Sequence, residues 1–446
     1  MMTYDSPADL LAHAATFCTV SLCVGYGARL VLLARRLLKR VTPSMKASLR
    51  ESKETPLVSV IVPAFNEDRV IEASVGAILS SDYHNVQLIV VDDGSTDGTA
   101  SVVLSKFGRD PRLTLLRQQQ NLGKAEALNS GLAVAQGEYI VVVDADTVPT
   151  ASFIALMVRP LMEDRADAVA GNVKVAARPG LLATFQSIEY VSVLNSMRLF
   201  QGCSGSITTI AGAAGAMRRS ALLAVGGYSR ETKAEDADLT LRLMRHGFRA
   251  LYLQDAVVYT EIPSSWRVLF HQRVRWLYGN MLCIWGHLHT RKRFAGMRVL
   301  GFPAFAYENV LKPPMELLRA SVPLWIISGF APADWLYVYV SLFLLSWLWV
   351  ALSFGLEGEP APSLAEISAY YLLWPLFLIC PYAVTVGKVL AGNSIEWHKA
   401  PRIGALSGRL ASAGIWTPSL EEERGLRQGA PASARAGSQE RDKPPV

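Results

Sequence analysis

Apolar residues are unevenly distributed along this chain of 446 residues. Two regions, near residues 8–34 and from about 297 to 390, are dominated by large apolar side chains, whereas residues 56–262 mix apolar and polar positions. The first apolar run is about as long as the ~20 residues that cross a bilayer as a helix. Acidic residues precede it and basic residues follow it, which places its C-terminal end in the cytoplasm.

A cleaved signal peptide is the alternative for this first run, but such peptides carry positive charge before the apolar region and small residues after it. We therefore expect an uncleaved membrane anchor over residues 1–40. A polar linker over residues 41–56 is expected to follow it.

Between the two apolar regions, short β-branched runs alternate with helical patterns. Runs at 57–65 and 86–94 end in turn residues, and a helical pattern lies between them. A further helical stretch near 125–135 leads to a strand that begins at Tyr139. This order predicts an α/β domain over residues 57–262 with a mostly parallel sheet and helices on both faces. In such sheets ligands bind at the carboxyl ends of the strands.

Three of the predicted strands end in polar side chains. Such residues are ordinary in turns, but three converging strand ends favour a ligand site. Two carboxylates separated by one residue, with no His or Cys nearby, suit Mg²⁺ or Mn²⁺, which completes its coordination with water and a substrate diphosphate. The strand-end residues are Asn66 and Glu67, then Asp92 and Asp93, then Asp144 and Asp146.

Several function classes are disfavoured. The sequence has neither a GxxxxGK[ST] loop nor a GxGxxG after a strand, which argues against an ATPase and a dinucleotide dehydrogenase. Lys124, in NLGKAEALNSG, is open as a nucleotide contact or as a solvated loop residue. The net charge of +6 does not predict nucleic-acid binding, and the five cysteines show no metal-site or disulfide spacing.

Six motifs of the sequence resemble those of one enzyme family. VPAFNE, VVDDGSTDGT, NLGKAEALN, VVDADT, AEDADLTLRL and QRVRW stand in the order and approximate spacing of the inverting, processive, membrane-embedded glycosyltransferases of family 2. The resemblance is strong over residues 57–280. Within the family the chain resembles bacterial poly-N-acetylglucosamine synthases, and cellulose, chitin and hyaluronan synthases more distantly. The fold that this implies is a GT-A-type nucleotide-sugar-binding domain.

The resemblance also implies roles for individual residues. Asp93, with Asp92 beside it, would contact the uracil and ribose side of a UDP-sugar, and Asp144 and Asp146 would hold the metal on its diphosphate. Asp236 occupies the position of the catalytic base, although acidic residues in a first helical turn, Asp238 among them, also suit the helix dipole. The remaining nucleotide-sugar candidates are Pro63, Asn66, Glu67 and Lys124. The candidates on the acceptor and diphosphate side are Gly212, Ala213 and Glu235.

The segment 264–289 combines an apolar stripe with the last motif, and an amphipathic surface helix would explain the stripe alone. The resemblance assigns Gln272, Arg275 and Trp276 to a QxxRW motif, in which Trp stacks on the acceptor sugar and Arg meets the diphosphate. We expect amphipathic interface helices over residues 263–296. The apolar stripe consists of Phe270, Val274, Leu277, Met281, Ile284 and Leu288.

The C-terminal region, residues 297–390, predicts membrane spans at 334–356 and 367–390. The loop between them carries acidic but no basic residues, and basic residues follow the last span, so the positive-inside rule predicts the loop outside and the tail inside. The polar middle of segment 297–330 then predicts a re-entrant hairpin, with a single tilted span as the alternative. Residues 391–446 are predicted to be a basic, disordered tail.

The resemblance implies a multi-pass enzyme of the bacterial inner membrane with a cytoplasmic catalytic domain. It would polymerise a β-linked polysaccharide from a UDP-sugar, with UDP-N-acetylglucosamine favoured, and extrude it across the membrane. Its partners would be the growing glycan, the lipid bilayer and other polysaccharide synthesis or export proteins. A transferase adding one sugar to a polyprenyl phosphate is the alternative and does not need QxxRW. A transporter or scaffold with a degenerate domain is disfavoured because Asp93, Asp144, Asp146 and Asp236 are all present.

Overall fold

The computed structural model describes residues 55–176, 178–288, 301–329 and 335–394. The predicted anchor, the linker up to residue 54, the last residues of the predicted interface segment and the tail beyond residue 394 lie outside the described residues.

Eight strands form one mixed sheet at the centre of the α/β domain. The strands are β1 Val58–Ala64, β2 Val86–Asp92, β3 Leu113–Arg117, β4 Tyr139–Val142, β5 Thr147–Pro149, β6 Ala168–Val175, β7 Gly215–Arg218 and β8 Ala250–Thr260. Their order is β3-β2-β1-β4-β7-β6-β8-β5. The first four strands of this order pair in parallel, as do β6 and β8. Strand β7 is antiparallel to its neighbours β4 and β6, and β5 is antiparallel to β8. The predicted α/β class with a mostly parallel sheet is confirmed.

The core is divided by the sheet into two apolar layers. In β1, Val60 and Val62 enter one buried cluster, while Ile61 enters another. The same alternation occurs in β4, where Val141 and Ile140 enter opposite clusters. Successive side chains of a strand point to opposite faces, so near-continuous β-branched runs are the pattern expected of strands covered on both sides.

Helices cover both faces of the sheet and extend beyond it as a second, helical layer. Those of the domain are α1 Ile71–Leu79, α2 Thr99–Phe107, α3 Lys124–Val134, α4 Phe153–Met162, α5 Leu181–Ile188, α6 Ser196–Ser204, α7 Arg219–Ala224 and α8 Glu235–Arg245. The later helices are α9 Trp266–Leu288, α10 Gly301–Ala306, α11 Lys312–Ile327, α12 Trp335–Glu357 and α13 Leu364–Leu390. Two π-helical segments, Glu189–Asn195 and Tyr307–Leu311, join α5 to α6 and α10 to α11.

The helical layer shares one apolar core with the domain. Phe185 of α5 meets Tyr370 and Trp374 of α13 edge-on, with ring centroids 5.5 and 6.2 Å apart, and meets Trp266 of α9 at 5.9 Å. Edge-to-face pairs of this kind stabilise a contact beyond the area that they bury. The aromatic contacts therefore set α9 and the C-terminal helices against the sheet domain.

Among the described residues, two helical stretches are long and apolar enough to cross a bilayer, Tyr339–Glu357 and Leu364–Leu390. They agree with the predicted spans to within a few residues. Large apolar side chains on them are exposed, including Leu344, Leu348, Leu373 and Leu376. An exposed apolar surface of this kind suits lipid or a partner protein.

The structure differs from the prediction over segment 297–330. Residues 301–327 form one helical run, since Ala306, Leu311 and Lys312 at its internal junctions all have right-handed helical dihedrals. The chain does not reverse within it, so the predicted hairpin is wrong for these residues. The polar residues that suggested it, among them Lys312 and Glu316, instead line a cavity against the domain.

The loop between α12 and α13 also differs from the prediction. Lys174 at the end of β6 lies 3.1 Å from Glu357 and 2.9 Å from Glu359, and Asn172 donates to Glu357 at 2.6 Å. The loop therefore lies on the side of the sheet domain, whereas the positive-inside rule placed it across the membrane from a cytoplasmic domain. The rule counts basic residues near spans, and here the acidic residues of the loop are neutralised by a lysine far away in the sequence.

Lys174→Met should destabilise this contact strongly, because it leaves Glu357 buried without its cation. Lys174 and Glu357 are both less than a tenth exposed, and removing one partner of a buried pair costs about 3 kcal/mol or more. Thermal unfolding of the purified protein in detergent measures the effect. Lys106→Met, which breaks the more exposed pair with Glu72, is the matched control and should change stability by less than about 1 kcal/mol. Equal melting temperatures for the two variants would contradict this role of Lys174.

Candidate active site

A cavity of about 830 Å³ lies between the carboxyl end of β4, the first turns of α3 and α8, the helix α9 and the C-terminal helices. Ten of the residues predicted from the sequence line it, although they come from five separate stretches of the chain. They are Lys124, Asp144, Asp146, Gly212, Ala213, Glu235, Asp236, Gln272, Arg275 and Trp276.

The acidic pair Asp144 and Asp146 follows directly from β4. That strand is buried throughout, and Val143 after it is fully buried. The Asp144 side chain is 28% exposed, whereas Asp146 is buried and accepts from the Thr147 hydroxyl at 3.2 Å. Two carboxylates that border one cavity form the oxygen-only donor set that fits Mg²⁺ or Mn²⁺.

Lys124 is the first residue of α3 and lies among the carboxylates. Its Nζ is 2.5 Å from Asp144 Oδ1 and 3.7 Å from Glu235 Oε1. Burial lowers the pKa of Lys124, but Asp144 and Glu235 outweigh burial and raise it above its usual value. Of the two alternatives left open by the sequence, the structure places Lys124 in the cavity.

Gly212 leaves the space that the Lys124 ammonium needs. A Cβ at residue 212 would lie 2.9 Å from Lys124 Nζ and 4.0 Å from Asp144 Oδ1. The first distance is closer than non-bonded atoms tolerate, so a larger residue would displace the lysine. The glycine also donates its backbone N–H to Asp236 Oδ2 at 3.3 Å.

Asp236 and Asp238 lie in the first turn of α8 but point in different directions. Asp236 borders the cavity and accepts from the backbone N–H groups of Ala237, at 2.8 Å, and Gly212. Asp238 does not line the cavity; it accepts from Arg242 at 2.7 Å and contacts His287 at 2.9 Å. Of the two, Asp236 is therefore the carboxylate placed to reach a ligand.

Glu235, like Asp146, is a buried carboxylate of the cavity. Burial and, to a smaller extent, the charge of Asp236 raise its pKa above the usual value, whereas Lys124 and Arg275 oppose the shift. Of these two cations, Lys124 is the one that forms an ion pair with Glu235, at 3.7 Å.

The motif helix α9 carries Gln272, Arg275 and Trp276 on its cavity side. Three residues of the predicted apolar stripe are buried, namely Val274, Met281 and Ile284, whereas Leu288 at the end of the stripe is 60% exposed. Buried positions on this helix also include polar residues, Arg273 and His287. Sequence periodicity missed both because it treats charged residues as solvent-facing.

Arg273 supports the tryptophan of the motif. Its guanidinium lies over the Trp276 ring at 4.4 Å from the centroid and over Trp374 of α13 at 5.5 Å. It also forms an ion pair with Glu189 and donates to Gln186 at 3.0 Å. Cation–π contacts of this kind favour a fixed ring orientation. The only signal for Arg273 in the sequence was its place inside the motif.

Five predicted residues do not line the cavity: Pro63, Asn66, Glu67, Asp92 and Asp93. Asn66 has a left-handed backbone, with φ of 54°, and accepts from Thr96 at 2.8 Å, while Glu67 N–H donates to Thr99 at 2.7 Å. These contacts join the ends of β1 and β2. Direct nucleotide binding by these residues stays a prediction.

Asp92 and Asp93 hold neighbouring loops. Asp92 is buried, accepts from Ser95 N–H at 3.0 Å and pairs with Arg117 at 3.4 Å. Both oxygens of Asp93 accept backbone N–H groups, from Leu122 at 2.8 Å and Gly123 at 2.9 Å. Burial raises the pKa of Asp93 although these hydrogen bonds oppose the shift. Asp93 therefore fixes the start of α3 and with it Lys124.

The far wall of the cavity comes from the C-terminal helices. It contains polar pairs that the sequence analysis did not assign: Asn280 donates to Asn309 at 2.7 Å, Lys312 to Glu308 at 2.6 Å and Arg319 to Glu316 at 2.7 Å. Aromatic side chains, including Trp349, Tyr371 and Trp374, complete the wall. The polar residues of segment 301–327 were the feature of the sequence from which this wall could have been predicted.

The fold is that of the GT-A glycosyltransferases. One solved structure of this fold, a mannosyltransferase from Pyrobaculum calidifontis in complex with GDP-Man and Mn²⁺, superimposes with a TM-score of 0.60 at 23% identity, over 85% of this chain and 100% of that one. The family described as glycosyltransferase-like family 2 matches residues 55–279, half of the chain. The chain therefore belongs to glycosyltransferase family 2, and the predicted resemblance is confirmed.

Relatives with a named activity are poly-β-1,6-N-acetyl-D-glucosamine synthases. The one from Staphylococcus aureus strain COL is 28% identical over 258 residues, which cover 57% of this chain and 61% of the relative. The one from Staphylococcus epidermidis is 28% identical over 247 residues, 54% of this chain and 60% of the relative. The match thus spans about three-fifths of the relatives' own length.

Proposed function

We propose that this chain is an inverting, processive glycosyltransferase that polymerises a β-linked polysaccharide from a UDP-sugar, with UDP-N-acetylglucosamine as the donor, and extrudes it across the bacterial inner membrane. One observation carries the proposal: a single cavity joins the acidic pair, Asp236 and the QxxRW residues to the aromatic wall of the C-terminal helices. The named activity of the relatives supports the sugar.

Asp144 and Asp146 would hold the divalent cation, Mg²⁺ or Mn²⁺. When bound, the cation would neutralise the charge that develops on the departing diphosphate. Lys124 and Arg275 add fixed positive charge on the same side of the cavity. Lys124 pairs with Asp144, and its flexible side chain can turn from that carboxylate to a phosphate oxygen.

Asp236 is the general base of the proposed reaction. It accepts the proton of the acceptor hydroxyl while the hydroxyl oxygen forms a bond to the anomeric carbon of the donor. The bond from that carbon to the diphosphate breaks with its electrons leaving on UDP, so a single displacement inverts the anomeric configuration. The backbone N–H groups of Gly212 and Ala237 donate to the carboxylate and orient it.

Trp276 provides the acceptor platform. An indole face binds the apolar face of a sugar without fixing its position in the polymer, and the contact of Arg273 holds the ring in place. Trp374, Tyr371 and Trp349 also line the cavity, which has a volume of about 830 Å³. A cavity of this volume with several aromatic side chains suits a chain of sugars better than the single-sugar transfer to a polyprenyl phosphate.

The setting of the enzyme is part of the proposal. The catalytic domain lies in the cytoplasm, the C-terminal helices cross the membrane, and the growing glycan and the bilayer are the partners, with other polysaccharide synthesis or export proteins as further partners. The exposed apolar surfaces of α12 and α13 support the membrane contact. The loop between these helices shares the cytoplasmic side with the domain, because Lys174 binds it.

The proposed activity is tested with purified protein in membranes, a panel of labelled UDP-sugars and Mg²⁺ or Mn²⁺. We expect a polymer from UDP-N-acetylglucosamine that a β-1,6-N-acetylglucosaminidase degrades, and no product after chelation by EDTA. A product confined to one lipid-linked sugar would exclude the processive reaction, and full activity in EDTA would exclude the metal.

Asp236→Asn should reduce transfer by about 10³-fold or more, since general-base catalysis alone contributes 10²–10⁴-fold, while UDP binding stays within a factor of about two. Asp255→Asn is the matched control, because Asp255 is an exposed carboxylate on β8. Initial rates and UDP titrations measure both quantities. Near-normal polymerisation by D236N would show that the base is another residue.

Trp276→Ala should shorten the product and uncouple donor cleavage from elongation, because the acceptor loses its platform. A sugar-stacking contact is worth about 1 kcal/mol, by analogy with aromatic pairs, which corresponds to a several-fold loss of acceptor affinity. Product length and the ratio of UDP released to sugar incorporated are the measurements. Trp285→Ala, on the same helix but 66% exposed, should behave as wild type. Unchanged product length in W276A would contradict the acceptor role.

A further inference from the structure

A polar cluster is buried outside the cavity, between helices α8 and α9. His287 Nε2 lies 2.9 Å from Asp238 Oδ1, and the other oxygen of Asp238 accepts from Arg242 Nε at 2.7 Å. His287 is 7% exposed. A carboxylate only accepts, so the shared hydrogen belongs to Nε2 of the imidazole.

The two helices in contact carry the two halves of the proposed reaction. Helix α8 bears Asp236, two residues before Asp238, and α9 bears the QxxRW motif. Asp238 is therefore linked to the base through the backbone of the first turn of α8, while His287 is the next-to-last residue of the helix that presents Trp276.

A second contact lies eight residues earlier on α9. A Cβ on Gly279 would lie 2.7 Å from the backbone nitrogen of Ala234, so only glycine permits this approach, and Thr232 donates to the Gly279 carbonyl at 3.1 Å. At 1.5 Å per residue, the two contacts are about 12 Å apart along the helix. Two separated contacts fix both the distance and the tilt of α9 relative to α8.

We propose that Asp238 and His287 are positioning residues that hold Asp236 in register with the acceptor hydroxyl bound at Trp276. The inference rests on the proposed function of those two residues. The hydrogen bond between Asp238 and His287 acts by fixing the position of α9 relative to α8, since neither side chain lines the cavity.

A metal site is the competing explanation of the same cluster. The ligand atoms of Asp238, Cys283 and His287 lie within 4.8 Å of one another, as zinc ligands would. However, burial raises the pKa of the Cys283 thiol, whereas zinc binds the thiolate. Arg242 also occupies one oxygen of Asp238. The hydrogen bond between His287 and Asp238 accounts for the close approach of these residues without a metal. The test below therefore includes a measurement of the zinc content.

The test compares His287→Ala, His287→Phe and His287→Gln in the full-length protein. Alanine and phenylalanine remove the donor, and phenylalanine keeps the volume, so it tests the link if alanine prevents folding. We expect both to lower kcat about tenfold or more, with KM for the UDP-sugar and UDP affinity nearly unchanged. Glutamine, whose amide N–H can donate to Asp238, should restore most of kcat. His246→Ala, at the exposed end of α8, is the control and should leave kcat unchanged.

Three results would overturn the proposal: wild-type kcat in H287F, an equal loss of kcat in H287F and H287Q, or stoichiometric zinc in the wild type that is lost in H287F. Asp238→Asn separates this proposal from the assignment of the base. Its amide oxygen still accepts from His287, so D238N should retain most of kcat while D236N loses it. A D238N variant as inactive as D236N would likewise overturn the positioning role, whereas an active D236N would show that the base is another residue.

Discussion

One lysine balances the carboxylates around which the cavity is built. Asp144, Glu235 and Asp236 approach one another from β4 and α8, and Lys124 lies between the first two. Carboxylates removed from water without a partner are costly, so this arrangement of strand and helix ends depends on the lysine. Three neighbouring residues position Lys124: Asp93 caps the turn before α3, Gly123 adopts a φ of 93°, and Gly212 leaves room for the ammonium.

The side of the cavity formed by the QxxRW motif depends on packing between helices. Arg273 joins Trp276 to Trp374 and Glu189, and thereby to the C-terminal helices and the first π-helical segment. The contact of Gly279 with Ala234 and the pair of His287 with Asp238 set α9 against α8. The residues proposed to bind donor and acceptor are thus held by separate interactions that meet only at the cavity, which is consistent with the proposed reaction of two different substrates.

Sequence reasoning succeeded where local pattern decides structure. Strands β1, β2 and β4 and helix α9 follow from periodicity, and the strand-end aspartates follow from the rule that parallel strands present ligands at their carboxyl ends. It failed at the loop after α12 and at segment 301–327. The positive-inside rule takes no account of distant partners, and here Lys174 neutralises Glu357 and Glu359. Polar residues such as Lys312 suggested a break in the helix because the sequence does not show that they face a cavity.

The sequence by itself determined the family, the α/β class, the apolar C-terminal helices and the identity of ten residues that line the cavity, because these depend on residue type and short-range spacing. Only the tertiary structure decided which acidic residues face the cavity: Asp236 does and Asp238 does not, and Asp93 supports a loop. It also assigned buried roles to Arg273 and His287. The physical reason is that the partners of a buried charge lie far away in the chain, so neither its burial nor its direction can be inferred from its neighbours in sequence.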